Sequence, residues 1–286
     1  MSKNSEEKKV EEKDDQDEKF INSLAEEIYQ IFKSKHSEYS SKYDWSRNPD
    51  AVPEFLKSAP GWGDVSGISR SMDRVIQMRK VTSGLWPSLN EEQQFELIKW
   101  VVEDWGGIRG TKEQTFRDYC RWMRDISSDD DRGMGDSREK LFSWKNISGK
   151  SKAMAFFDPE KFFIYDSRVS IAINSIIIER LNWSDKFFHL AQPKGNNERY
   201  QYLKEKIDEM KKKEGVKASY QDYCRLIKTV ARLMGLDVED RQNRQKVEMW
   251  LFVLGCEYKN IQKGSDKSKS CVCSNAEGQG GPYSSI

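Results

Sequence analysis

Apolar residues in this chain return every third or fourth position, and no convincing stretch alternates every second one. Val169, Ala172, Ile173, Ile176 and Ile177 follow the i, i+3, i+4, i+7, i+8 spacing of a buried helix face. Tyr223, Leu226, Ile227, Val230, Ala231 and Met234 repeat it, and Val247, Trp250, Leu251 and Leu254 close the set. Earlier stripes run through Ile21, Leu24, Ala25, Ile28 and Phe32, then Phe95, Ile98, Val102 and Trp105, then Phe116, Tyr119, Cys120 and Met123. The β-branched run Ile176-Ile177-Ile178 resembles a strand only in isolation, because its flanks keep helical spacing. The pattern predicts an all-α fold, and no period of 20–50 residues marks a repeat protein.

Breakers divide the stripes. Pro60-Gly61-Trp62-Gly63 forms a turn cluster, and Gly106-Gly107 ends the helix carrying Trp105. Ser127 to Asp136 reads as a solvated loop. Its Asp129-Asp130-Asp131 run lacks the ligand order of a calcium loop, which Gly133-Met134-Gly135 interrupts. Residues 1–19 hold eight acids and five lysines with almost no apolar group, so a disordered charged tail is expected there. A second disordered tail is expected over 257–286, which leaves 20–256 as the helical domain.

Composition removes several kinds of chemistry. Two histidines, His36 and His189, argue against a His-rich metal centre and against a Ser-His or Cys-His nucleophile pair. The five cysteines, odd in number and scattered, form no disulfide framework, and Cys271-Val272-Cys273 lacks a second ligand pair for zinc. We therefore expect no metal and no cofactor, with chemistry resting on Lys, Asp, Glu, Tyr or backbone groups. The net charge is +1, and setting aside the acidic first 19 residues leaves a modest basic excess compatible with DNA. No apolar run is long enough to span a bilayer and no signal-peptide pattern is present, so the expectation is a cytoplasmic protein with no membrane partner.

One segment concentrates the chemistry. Ile147-Ser148-Gly149-Lys150-Ser151-Lys152 reads as a glycine turn opening a short helix from Ser151, after a helix that Ser137 caps and that runs to about Trp144-Lys145. Pro159 ends that second helix, and Asp166-Ser167 is an N-cap signal for the next. Backbone amides of such a turn, with the Lys150 charge beside them, suit a phosphate. Lys152 in a first helical turn has a lowered pKa and a more available neutral amine. An ordinary helical corner and a purely capping aspartate explain the same residues. Their joint placement is what suggests a site.

The segment resembles the helix-hairpin-helix DNA glycosylases, and among them a bacterial group with an 8-oxoguanine-glycosylase-like fold. The resemblance takes in Asp104-Trp105-Gly106-Gly107-Ile108-Arg109-Gly110, the hairpin, Asp166-Ser167-Arg168-Val169, and Val247 to Gly255, roughly residues 80–255. The hairpin departs from the family pattern in keeping one glycine, Gly149. The connection from Lys152 to Asp166 is short, and no N-terminal β-rich lobe is evident.

The resemblance implies two helical lobes around a cleft, double-stranded DNA containing a modified base as partner, and a monomer. It implies Lys152 as nucleophile at C1′ of the sugar and Asp166 as the carboxylate that stabilises the developing charge, with AP-lyase activity possible through the Schiff base. Ser148, Gly149, Lys150, Ser151, Arg168 and Arg109 would contact DNA. Trp105, Trp86 and Trp250, with Trp122, are candidates for stacking the flipped base, although aromatic residues on such stripes usually pack inside. An oxidised purine is the expected substrate. A glucosylated cytosine of phage DNA, a non-catalytic DNA-binding module and a protein-interaction domain are the alternatives.

Overall fold

The computed structural model describes residues 3–45, 52–127, 134–195, 197–236 and 240–260. Among them are twelve α-helices: α1 (Lys3–Lys42), α2 (Glu54–Lys57), α3 (Trp62–Gly67), α4 (Ser71–Leu85), α5 (Glu91–Lys99), α6 (Glu113–Ser127), α7 (Met134–Phe142), α8 (Ile147–Phe157), α9 (Ser167–Ser175), α10 (Glu198–Lys212), α11 (Tyr220–Leu233) and α12 (Gln245–Asn260). Two short strands, β1 (Lys186–Phe187) and β2 (Val216–Lys217), pair in parallel with Lys186 opposite Val216. They tie two loops together and leave the all-α class unchanged.

The apolar stripes become the core. Ile21, Leu24, Ala25, Ile28 and Phe32 of α1 are buried, as are Val169, Ala172, Ile173, Ile176 and Ile177. The isoleucine run belongs to a π-helical turn, Ile176–Arg180, that continues α9. A second π-helical turn, Trp100–Trp105, continues α5 and brings Trp100, Val101, Val102 and Trp105 into the interior. Such wide turns shift the register of side chains and are frequent near functional sites.

Five packing relationships build the surroundings of the hairpin. α9 lies along α12, α1 lies against α11 and α12, and α8 lies between α4 and the Trp100–Trp105 turn. The α9–α12 approach is so close that a Cβ on Gly255 would stand 2.1 Å from the Arg168 carbonyl oxygen. Only glycine lets α12 come against the start of α9 at that point.

Two expected boundaries move. α1 reaches back to Lys3, so residues 3–19 are helical rather than a disordered tail, and the Asp17 carboxylate pairs with Lys186. Glu and Lys are good helix formers, and extending an existing packed helix avoids the cost of nucleation. At the other end α12 runs to Asn260, four residues beyond the expected edge of the domain. Glu257 is held there by Tyr39 Oη at 3.0 Å and Lys42 Nζ at 2.8 Å. Residues 261–286, with Cys271 and Cys273, lie outside the described residues, as do 128–133 of the acidic loop.

Candidate functional site

The bend between α7 and α8 differs from the expected glycine turn. α7 ends at Phe142 and α8 starts at Ile147, four residues before Ser151. The left-handed residue is Asn146, with φ 56°. Asparagine tolerates this region through local hydrogen bonding of its side chain. The Ile147 N–H donates to the Trp144 carbonyl at 3.3 Å, and those of Gly149 and Lys150 donate to the Asn146 carbonyl at 3.1 and 3.2 Å. The turn therefore does not present an unbroken row of free amides.

Two residues assigned to DNA contact face inward instead. Lys150 is buried, and its ammonium donates to the Lys140 carbonyl at 2.6 Å, the Ser143 carbonyl at 2.7 Å and Ser143 Oγ at 2.8 Å. It closes the C-terminal end of α7, where carbonyls lack helical partners and a positive charge is favoured. Burial pulls its pKa down to about 8, with Lys145 adding to the effect. Ser151 is fully buried and is bonded to the backbone of Tyr165.

Lys152 is the sixth residue of α8, in the second turn rather than the first. Its side chain is only 3 % exposed and runs past Gly106, where a Cβ would stand 2.6 Å from Lys152 Cδ. Gly106 is thus the space the lysine stem occupies. The amine donates to the Ser148 carbonyl at 3.2 Å. Burial lowers its pKa from 10.5 to about 8; Asp166 and Glu248 oppose that shift, and Arg168 and Arg79 reinforce it. The expected direction holds, but the cause is desolvation rather than the helix start.

Asp166 caps α9, with Oδ1 accepting from the Arg168 N–H at 2.9 Å and the Val169 N–H at 3.1 Å. Its Oδ2 stands 3.7 Å from Arg168 Nη1. The chain reaches Asp166 through an extended segment, 163–165, whose polar groups are satisfied largely by side chains. Tyr220 Oη donates to the Phe163 carbonyl and Tyr223 Oη to the Ile164 carbonyl, each at 2.7 Å. The Ile164 N–H donates to Glu248, and the Tyr165 N–H donates to Ser151 Oγ at 2.9 Å. A segment without a strand partner is held here by four side chains from three helices.

Glu248 belongs to a buried network. Its Oε1 receives Arg79 Nη2 at 2.6 Å, and Arg79 Nη1 donates to Gln245 Oε1 at 2.9 Å. Sequence reasoning gave Arg79, Glu248, Tyr220 and Tyr223 no role in the site, and read Tyr223 only as part of a buried helix face. A signal existed for Glu248, a charge inside the apolar run Val247 to Leu254, because charged residues are rarely buried unless paired.

Asp166 and Glu248 line one narrow recess with Tyr43, Trp45, Trp105 and Phe252. About 10 Å³ of it is open, room for roughly one water. Trp45 stacks on Trp105 with ring centroids 4.8 Å apart and donates Nε1–H to the Trp105 carbonyl at 3.2 Å. Of the expected base-stacking residues, Trp105 alone borders this recess. Trp250 packs edge-on to Phe32 and donates to Ser40 Oγ, in the core against α1. Trp86 packs on Phe157, and Trp122 lies beside Tyr119. The Arg168 guanidinium lies 4.5 Å from the ring centre of Phe252, a residue of the recess wall.

A larger cleft of about 560 Å³ opens at the start of α8, where Ser148 and Gly149 meet Arg109, Lys112, Trp144 and His189. Arg109 and Lys112 are exposed. His189 stacks on Trp144 at 5.3 Å, and burial pulls its pKa down to about 4, so it is neutral near pH 7. Among the described residues no group of three or more His, Cys, Asp or Glu is arranged to hold a metal ion, and no helix is long and apolar enough to cross a membrane.

No protein-family model, no curated protein and no solved structure matches this chain.

Proposed function

We propose that the protein is a DNA base-excision glycosylase of helix-hairpin-helix type that uses Lys152 as nucleophile and Asp166 as the stabilising carboxylate. The observation that carries this reading is a buried lysine amine, with its pKa lowered to about 8, within the electrostatic reach of a buried N-cap aspartate. A lysine desolvated in this way is partly neutral near physiological pH, as a nucleophilic amine must be.

In the proposed reaction a modified nucleotide is flipped from duplex DNA, and its base enters the recess beside Asp166 once Trp45 moves off Trp105. The neutral Lys152 nitrogen forms a bond to C1′ while the N-glycosidic bond breaks. The base leaves with the bonding electron pair and takes up a proton. Loss of the amine proton and opening of the sugar ring yield a Schiff base. Water reverses it, or β-elimination cuts the strand. Asp166 stabilises positive charge on the sugar as the base departs. The cleft with Arg109, Lys112 and Ser148 takes the phosphate backbone, and the two sides of the helical fold act as lobes around the duplex. We place the enzyme in the cytoplasm as a monomer.

An oxidised purine is the proposed substrate class. The test is borohydride trapping on a duplex with an abasic site, together with strand cleavage on duplexes carrying 8-oxoguanine, uracil or glucosylated cytosine. A covalent adduct lost in Lys152→Ala and cleavage at 8-oxoguanine support the reading. Cleavage at glucosylated cytosine alone reassigns the enzyme to phage defence. Duplex binding without adduct or base release leaves a non-catalytic module.

A further inference from the structure

Asp166 and Glu248 are two carboxylates facing one apolar recess, yet neither touches the other's partners. Asp166 spends Oδ1 on the start of α9. Glu248 divides its oxygens between Arg79 of α4 and the Ile164 N–H, two residues before Asp166. Arg79 is fully buried and Glu248 is 3 % exposed. A buried ion pair of this kind is weak evidence for stability, since well-packed apolar side chains of similar volume often serve as well. This one is also incompletely satisfied, with Arg79 Nε and Gln245 Nε2 lacking an acceptor among the described residues. Its geometry is specific all the same: α4, α12 and the extended segment are joined at a single carboxylate.

We propose that Glu248, anchored by Arg79, is the positioning residue of the Lys152–Asp166 site, fixing the backbone at Ile164, two residues before Asp166, and with it the place of the Asp166 carboxylate relative to the Lys152 amine. Its catalytic consequence rests on the glycosylase reading; its structural role does not. The charged groups acting on Lys152 are Asp166 and Arg168 of α9, Glu248 of α12 and Arg79 of α4. Glu248 favours the ammonium form, so removing its charge shifts the Lys152 titration downward.

Glu248→Gln tests this on the full chain. Glutamine has one acceptor oxygen and must abandon either Arg79 or the Ile164 N–H. Two readouts are measured across pH: the Lys152 titration, followed by NMR of 13C-labelled lysine side chains, and borohydride trapping on the abasic duplex. The expected result is a Lys152 midpoint shifted downward and trapping reduced about tenfold, the scale of one missing hydrogen bond to a charged group. Glu257→Gln, which removes the distant interactions with Tyr39 and Lys42, is expected to lower the melting temperature and leave both pH profiles in place. Should Glu248→Gln fail to fold, Arg79→Lys keeps an opposite charge but not the forked donor, and is expected to reduce trapping in the same direction.

A folded Glu248→Gln protein that traps DNA as well as the wild type overturns the proposal even if the Lys152 midpoint moves, as does the same result for Arg79→Lys. If the wild-type protein traps no DNA while Glu248→Gln moves both the Lys152 midpoint and the amide NMR signal of Ile164, Glu248 positions the site and the glycosylase reading falls alone.

Discussion

Ser151 and Tyr165 form a reciprocal pair: Ser151 Oγ accepts from the Tyr165 N–H at 2.9 Å and donates to the Tyr165 carbonyl at 3.3 Å. Each neighbours a proposed catalytic residue, Ser151 beside Lys152 and Tyr165 beside Asp166. One hydroxyl therefore sets the spacing between the helix that carries the amine and the segment that carries the carboxylate.

Ser151→Ala is expected to leave the buried Tyr165 N–H and carbonyl without that partner, lowering stability by roughly 1–3 kcal/mol. Borohydride trapping should fall about tenfold, since small displacements of reacting groups are costly to rate. Urea unfolding and trapping yield measure the two effects. Ser151→Thr, which keeps the hydroxyl, should recover most of the trapping. Equal losses in both variants would show that shape rather than the hydrogen bonds matters at this position.

The Lys152 titration has a consequence for rate and an opposite one for stability. Trapping should rise about tenfold per pH unit below its midpoint as the neutral amine increases, and level off above about 8. The folded protein binds this proton less tightly than the unfolded chain, so the destabilising effect of Lys152 is fully present below about 8 and fades as the pH rises toward 10.5. Lys152→Met is thus expected to abolish trapping while raising stability at pH 7, by at most roughly 3 kcal/mol. Thermal melts at pH 7 and pH 10 check the sign. A Met variant less stable than wild type at pH 7 would contradict it.

DNA binding should separate the exposed cations from the buried one. Arg109→Ala with Lys112→Ala, both at the cleft, is expected to reduce the slope of log affinity against log salt by about two, one for each phosphate that the variant no longer neutralises. Lys150→Ala is expected to leave that slope unchanged and to destabilise the chain by roughly 1–3 kcal/mol, because the carbonyls of Lys140 and Ser143 lose the lysine's hydrogen bonds at the end of α7. Fluorescence anisotropy on a labelled duplex across salt concentrations reads the first effect. A salt slope altered by Lys150→Ala would return that residue to the DNA face.

The helices themselves were legible from residue order alone. Leu24, Ile28 and Phe32, or Val169, Ile173 and Ile176, state by their spacing which side of each helix is buried, because helical periodicity is a local property of the chain. Asp166 as a helix cap was legible for the same reason, since an N-cap involves only residues two and three positions away. Lys152 and Asp166 were marked as a pair by the sequence, but the environment that lowers the lysine pKa was not. That environment consists of Gly106, Arg79, Glu248 and Arg168, far apart along the chain and brought together only by packing. Long-range packing likewise decided that Lys150 turns inward to close α7, that Ser151 binds Tyr165, and that Trp250 lies in the core while Trp105 borders the recess. The physical division is one of range: backbone conformation and amphipathic face follow from near neighbours along the chain, whereas burial, charge environment and access depend on which helices meet.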